Sequence, residues 1–173
     1  MIPDWMTSAP RPFDTVLVAN RGEIAVRVLR AAKESGLRGV AVYSDPDTGS
    51  LHVENADQAV HLPGTTLADT YLNGDAIIEA ARSTGAQAIH PGFGFLSERA
   101  DFANAVKAAG LIWIGPPADA IDTMGDKISA RRCMIESGVP VIPGEEISMG
   151  GDSDHLGVLA AAAARVGYPL LLK

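Results

Sequence analysis

Two places in this chain set residue types where chemistry could use them. The first is Ala88-Ile-His-Pro-Gly-Phe-Gly-Phe-Leu-Ser-Glu-Arg99, where an apolar run from Ala86 to Ile89 halts at His90-Pro91. Proline removes a backbone donor and drives the residue before it out of the helical region. Gly92 and Gly94 open backbone angles closed to other residues. Phe93 and Phe95 put two rings into a segment expected to be a polar surface loop. Ser97 suits an N-cap and Glu98 the positive first turn of a helix, so the pattern predicts strand, glycine-rich loop, then helix over 98–109. Loops at the carboxyl ends of strands in an open α/β sheet are where ligands bind. A tight connection whose rings merely cover the core fits the same residues, because Gly-x-Gly alone specifies little.

The second place is Met124-Gly-Asp-Lys127. Asp126 is suited to cap a helix expected to run to Ser137, which puts Lys127 in its first turn. That end of a helix favours anions by about 0.3–1 kcal/mol, so a cation there suggests service to an anionic ligand such as phosphate. Taken alone, a solvated lysine paired with Asp126 is the commoner account of the same residues.

The apolar pattern supplies a scaffold for both. Thr15-Val-Leu-Val-Ala19 has the continuous apolar character of a strand covered on both faces. Asn20-Arg-Gly-Glu23 turns into a helix ending near Ser35, with Ile24, Ala25, Val28, Leu29 and Ala32 on one face. Glu23, Arg27, Arg30 and Glu34 form another face, as an ordinary solvated helix surface would. Gly39–Tyr43 is a second strand, completing a right-handed βαβ unit. A turn at 44–49, a short helix over 51–56, a strand over 59–62 and a helix over 73–84 with Ile77, Ile78 and Ala81 inward follow. A buried strand is expected over 111–114 and a brief helix over 118–124. Five strands alternating with helices predict a doubly wound, Rossmann-like parallel α/β sheet. It is not a dinucleotide site by pattern, since Gly22 stands alone where the fingerprint needs three glycines.

After a connector at 138–143 and a loop to 156, an alanine-rich helix (157–166) and a strand (168–173) are expected. A helix–strand unit beginning so late cannot build its own core, which suggests a truncated second domain. Met1–Pro12 carries three prolines without periodicity and is expected to be disordered.

Composition bounds the partners. Of 173 residues, 47% are hydrophobic and 20% charged, which suits a soluble globular protein. A net charge of −7 with no basic cluster argues against nucleic acid and anionic membranes. Cys133 stands alone, so no internal disulfide forms, and in a helix it is expected to act as a small hydrophobe. His52, His61 and His90 lack metal-ligand spacing, so no metal is expected on them. With no membrane-spanning run and no signal peptide in residues 1–12, a cytoplasmic enzyme is the expectation.

Five motifs then occur in order: Val18-Ala-Asn-Arg-Gly-Glu-Ile-Ala25, His90-Pro-Gly-Phe-Gly-Phe-Leu-Ser-Glu98, Ile114-Gly-Pro116, Met124-Gly-Asp-Lys127 and Gly167-Tyr-Pro169 with Lys173. Together they resemble the N-terminal part of biotin carboxylase, as found in acetyl- and propionyl-CoA, pyruvate and urea carboxylases, over about residues 14–173. The resemblance implies a leader (1–12), a biotin carboxylase N-terminal α/β domain of pre-ATP-grasp type (13–125), and the beginning of an ATP-grasp domain (126–173). The implied activity is ATP- and bicarbonate-dependent carboxylation of biotin, the carried substrate on a biotin carboxyl carrier protein or domain. A carboxyltransferase is the further implied partner.

By motif match, Lys127 and Lys173 contact ATP phosphates, Phe93 and Gly94 border the biotin side, and Arg30 and Glu34 belong to a homodimer contact. Two departures stand out: many relatives carry tyrosine at Phe93, and asparagine is commoner at Arg99. The Mg2+ ligands, the catalytic glutamate and the arginine that holds biotin fall later in the family's sequence. No catalytic or metal residue is therefore assigned here, and the 173 residues alone are expected to be silent. The alternatives are a non-catalytic dimerisation or docking module and an ordinary Rossmann-type nucleotide binder.

Overall fold

The computed structural model describes residues 11–145, 147 and 155–171. The chain divides between Asp122 and Thr123 into two compact units. The first holds β1 (Thr15–Val18), α1 (Gly22–Glu34), β2 (Arg38–Tyr43), a 3-10 turn (Asp45–Asp47), α2 (Leu51–Glu54) and β3 (Gln58–His61). It continues with α3 (Gly74–Thr84), β4 (Ala88–His90), a second 3-10 turn (Phe95–Glu98), α4 (Ala100–Ala108) and β5 (Ile112–Trp113). Helix α5 (Ala118–Gly125) straddles the division.

The sheet order is β3-β2-β1-β4-β5, and all four pairings are parallel. The doubly wound expectation therefore holds. Central strand β1 pairs Val18 with Ala41 on one side and with His90 on the other. Leu17 enters the larger apolar cluster with Ile77, Ile89 and Phe102, while Val18 enters a separate one with Ala25 and Leu29. Both faces of the strand are thus buried, which is why its sequence is apolar without alternation. Helix α1 comes close enough to β2 that a Cβ on Gly39 would lie 2.7 Å from the Leu29 side chain. Helix α3 is capped by Asn73, whose side chain accepts from the Ala76 N–H, and it ends on left-handed Gly85.

The order reverses at β1. The chain builds outward through β2 and β3, then returns to place β4 on the opposite side, so the connections leaving β1 and β4 diverge. That switch point is where an open α/β sheet forms its ligand crevice.

Three expectations are corrected. The helix predicted from residue 98 begins at Ala100, and Ser97 does not cap it: residues 95–98 are spent in the 3-10 turn, with the Ser97 N–H bonded to the Gly94 carbonyl. The buried strand expected over 111–114 shrinks to two residues, with Ile112 partly exposed, because β5 is an edge strand. No strand forms over 168–171 in the second unit, whose described residues offer no neighbouring strand to complete a ladder. The leader expected to be disordered falls, for residues 1–10, outside the described residues.

The second unit contains α6 (Lys127–Glu136) and α7 (His155–Val166). Asp126 caps α6 by accepting the Ser129 N–H at 2.7 Å. Cys133 is half-buried on α6. Among the described residues no helix is long and apolar enough to cross a membrane.

Leu17 is fully buried and Arg30 is exposed on α1. Leu17→Ala is expected to cost about 2–5 kcal/mol in urea titrations. Arg30→Ala should stay within about 0.5 kcal/mol of the unmodified chain.

Candidate functional site

At the crevice, Asn20 follows β1 and is almost wholly buried. Its side-chain amide donates to the Pro91 carbonyl at 2.9 Å and the Phe93 carbonyl at 3.0 Å, while its Oδ1 accepts from the Arg21 N–H at 2.9 Å. One side chain thereby ties the end of β1 to the glycine loop after β4. The fit leaves no room at Gly92: a Cβ there would meet the Asn20 amide nitrogen at 2.6 Å, and the backbone has φ +74°. The Gly92 N–H donates to Nδ1 of His90 at 3.0 Å. That bond needs an unprotonated Nδ1, and burial pushes the His90 pKa down, favouring the neutral ring.

Gly94 has φ +67°, and Phe95 has φ +48°, the one positive φ outside glycine among the described residues. A left-handed phenylalanine costs on the order of 1–2 kcal/mol and persists only where its surroundings impose it. Here the Phe95 ring stacks on Tyr71, with centroids 5.7 Å apart and planes 11° apart. Tyr71 is completely buried, donates to Asp47 Oδ2 at 2.7 Å and accepts the Ser44 N–H at 3.1 Å. Ser44 Oγ donates to the same carboxylate oxygen at 2.8 Å. Arg21 lies 3.4 Å from Asp47 and 5.7 Å from the Tyr71 ring centroid.

Burial works against charge on Asp47, yet the bonds from Tyr71 and Ser44 and the Arg21 guanidinium hold its pKa below the ordinary value. Burial first, then the bond to Asp47, pushes the Tyr71 hydroxyl up to about 12. His52, buried behind this network, bonds the Val42 carbonyl through Nε2 and is likewise pushed down by burial.

The two loop phenylalanines, one residue apart in sequence, part company: Phe95 is partly buried against the core while Phe93 is 76% exposed. Phe93, Gly92 and His90 border a groove of about 560 Å3 that runs along α1 past Ile24 and Val28 to Ile114. Of the two residues expected at the biotin side, Phe93 borders this groove, while Gly94, between the two phenylalanines in sequence, is not among its lining residues. Arg30 and Glu34 are both exposed on α1. Lys127 is exposed at the start of α6, and the Asp126 carboxylate beside it accepts the Ser129 N–H. Lys173 lies outside the described residues. Asn20, Tyr71, Asp47 and Arg21 were not legible as a set. Asn20 offered one signal, a polar residue directly behind a buried strand, and Tyr71 offered none.

Residues 12–121 match the family model for the N-terminal domain of biotin carboxylase. The mitochondrial methylcrotonoyl-CoA carboxylase subunit alpha of Dictyostelium discoideum is 48% identical over 94% of this chain and 23% of its own length. The biotin carboxylase of Haemophilus influenzae is 49% identical over 93% of this chain and 35% of its own length. Among solved structures, the biotin carboxylase domain of a single-chain bacterial carboxylase superposes with a TM-score of 0.80 at 48% identity, over 92% of this chain and 36% of that one. The Kluyveromyces lactis urea carboxylase gives 0.74 at 53% identity, over 78% of this chain and 12% of that one. The chain thus spans between 23% and 35% of the two curated relatives named.

The buried histidines set a direction with pH. Folding holds His90 and His52 below their ordinary 6.5, so the unfolded chain binds more protons in the window beneath that value. Stability should be complete above about 6.5 and fall as pH drops below it. Denaturant titrations across that range check this, and His90→Gln should flatten part of the slope.

Proposed function

This chain belongs to the biotin carboxylase N-terminal domain family, and from that membership we propose that it is the N-terminal portion of a biotin carboxylase working in an acyl-CoA carboxylase-type complex. The reaction is carboxylation of biotin at the expense of ATP, with bicarbonate as the carbon source and a biotin carboxyl carrier protein or domain presenting the biotin. A carboxyltransferase takes the carboxyl group onward. The observation that carries this reading is the exposed Phe93 on a strained glycine turn at the switch point of the sheet. A solvated ring held on stiff backbone can lie against the apolar tetrahydrothiophene side of biotin's bent, cis-fused bicycle and leave the polar ureido half to hydrogen-bonding groups, with Gly94 adding no side chain of its own.

Residues 13–125 form the N-terminal α/β domain in this assignment, and 126–173 open the ATP-grasp domain. Lys127 holds an ammonium at the entrance of α6, where it can meet ATP phosphates. Lys173 is given the same task on its motif alone. Mg2+ neutralises developing phosphate charge when bound, and its ligands are assigned to sequence outside these residues. Arg30 and Glu34, solvated on α1, are assigned to a homodimer contact. The compartment is assigned as cytoplasmic, although mitochondrial relatives occur.

Saturation-transfer NMR with free biotin tests the site. Signal should pass from Phe93 to the bicycle and vanish in Phe93→Ala; its absence in the unmodified chain would sink the biotin assignment. An assay of biotin-dependent ATP hydrolysis on these 173 residues alone should read background, and turnover above it would show that the assigned division of labour is wrong. Sedimentation should find a dimer that Arg30→Glu dissociates; a monomer in both cases removes the dimer assignment from α1.

A further inference from the structure

We propose that Tyr71 is a positioning residue: a buried platform that holds the glycine loop in the shape that presents Phe93. Its relevance to catalysis rests on the biotin reading above. Three observations carry it. Phe95 adopts a left-handed backbone that its side chain disfavours, so something outside the loop must impose that conformation. The imposing surface is the Tyr71 ring, stacked beneath Phe95 at 5.7 Å with planes 11° apart. That ring is itself fixed from its far end, because its hydroxyl donates to Asp47 at 2.7 Å and accepts the Ser44 N–H at 3.1 Å.

Arg21 ties the assembly to β1 by lying over the Tyr71 ring while paired with Asp47. Tyr71 belongs to the turn segment 66–73, closed by the Leu72 N–H on the Leu67 carbonyl. A third stretch of chain, far from β1 and β4 in sequence, therefore sets the loop's geometry. Phe95 sits two residues beyond Phe93. Fixing its φ and ring orientation fixes the direction in which Phe93 leaves the turn, in concert with the Asn20 bond to the Phe93 carbonyl.

A glycine-rich loop ordered only by its own backbone would behave differently, and hydrogen exchange separates the cases. The Ser97 N–H bonds the Gly94 carbonyl across the turn, and the Leu17 amide in β1 reports global opening. Relative to Leu17, Ser97 exchange should speed up at least about tenfold in Tyr71→Leu, which removes the stacked ring. Tyr71→Phe keeps the ring but releases its far end from Asp47 and Ser44, so Ser97 should exchange at a rate between those of the unmodified chain and Tyr71→Leu, whereas a merely space-filling role, which phenylalanine satisfies, would leave it at the unmodified rate. Phe95→Gly sharpens the test: it relieves the backbone strain yet removes the stack, so Ser97 should exchange faster.

Unchanged Ser97 exchange in both Tyr71→Leu and Phe95→Gly overturns the platform. So does a turn that is released in Asn20→Ala but holds in both Tyr71→Leu and Phe95→Gly. The biotin arm is read separately by saturation transfer to free biotin, which should weaken more in Tyr71→Leu than in Tyr71→Phe. If exchange responds as stated but biotin shows no contact even in the unmodified chain, the platform stands and the biotin assignment falls.

Discussion

Much of this structure hangs on one buried amide. Asn20 closes β1, and its side chain satisfies two carbonyls of the next-door loop and one N–H of its own turn. A buried carboxamide left unpaired would cost about 1–3 kcal/mol, so the loop and the strand end are stable only together. The parallel pairing of β1 with β4 brings the two ends side by side, and the glycine at position 92 makes the approach sterically feasible. Topology, a single polar side chain and a missing Cβ thus act as one device.

Beside it lies a second device of opposite character. A carboxylate with little solvent contact stays charged because a phenol, a serine hydroxyl and a guanidinium all converge on it. Removing one partner from such a cluster costs more than the pair contributes, since the remaining charge is left desolvated. The cluster joins the ends of β1 and β2 to the segment before α3. It makes the carboxyl edge of the sheet stiffer than connecting segments usually are.

The scaffold was largely legible because its signals are local. Asn73 and Gly85 bracket α3, the apolar run at 15–19 gives β1, and Asp126 caps α6, each read from residues adjacent in sequence. What escaped was decided at a distance. No neighbour of Phe95 announces a left-handed phenylalanine; its stacking partner is 24 positions upstream, counting from 71 to 95. The late start of α4 follows from that same turn, which consumes the serine expected as cap. The brevity of β5 reflects its place at the edge of the sheet, a property of topology that a run of four apolar residues does not reveal. Phe93 and Phe95 look alike in sequence, and only packing tells the solvated ring from the one set against the core.

The sheet's two borders carry a consequence for solubility. Open borders of a β-sheet invite foreign chains to add themselves by backbone bonding. Here one border is a two-residue stub followed, after Ile114, by Gly115, Pro116 and Pro117, whose prolines lack the donors a guest chain would need. The other carries Gln58 and His61 among its four residues. Neither offers a long, flat template, so a molecule with an almost entirely apolar central strand is protected against fibrous self-association by how its margins are trimmed.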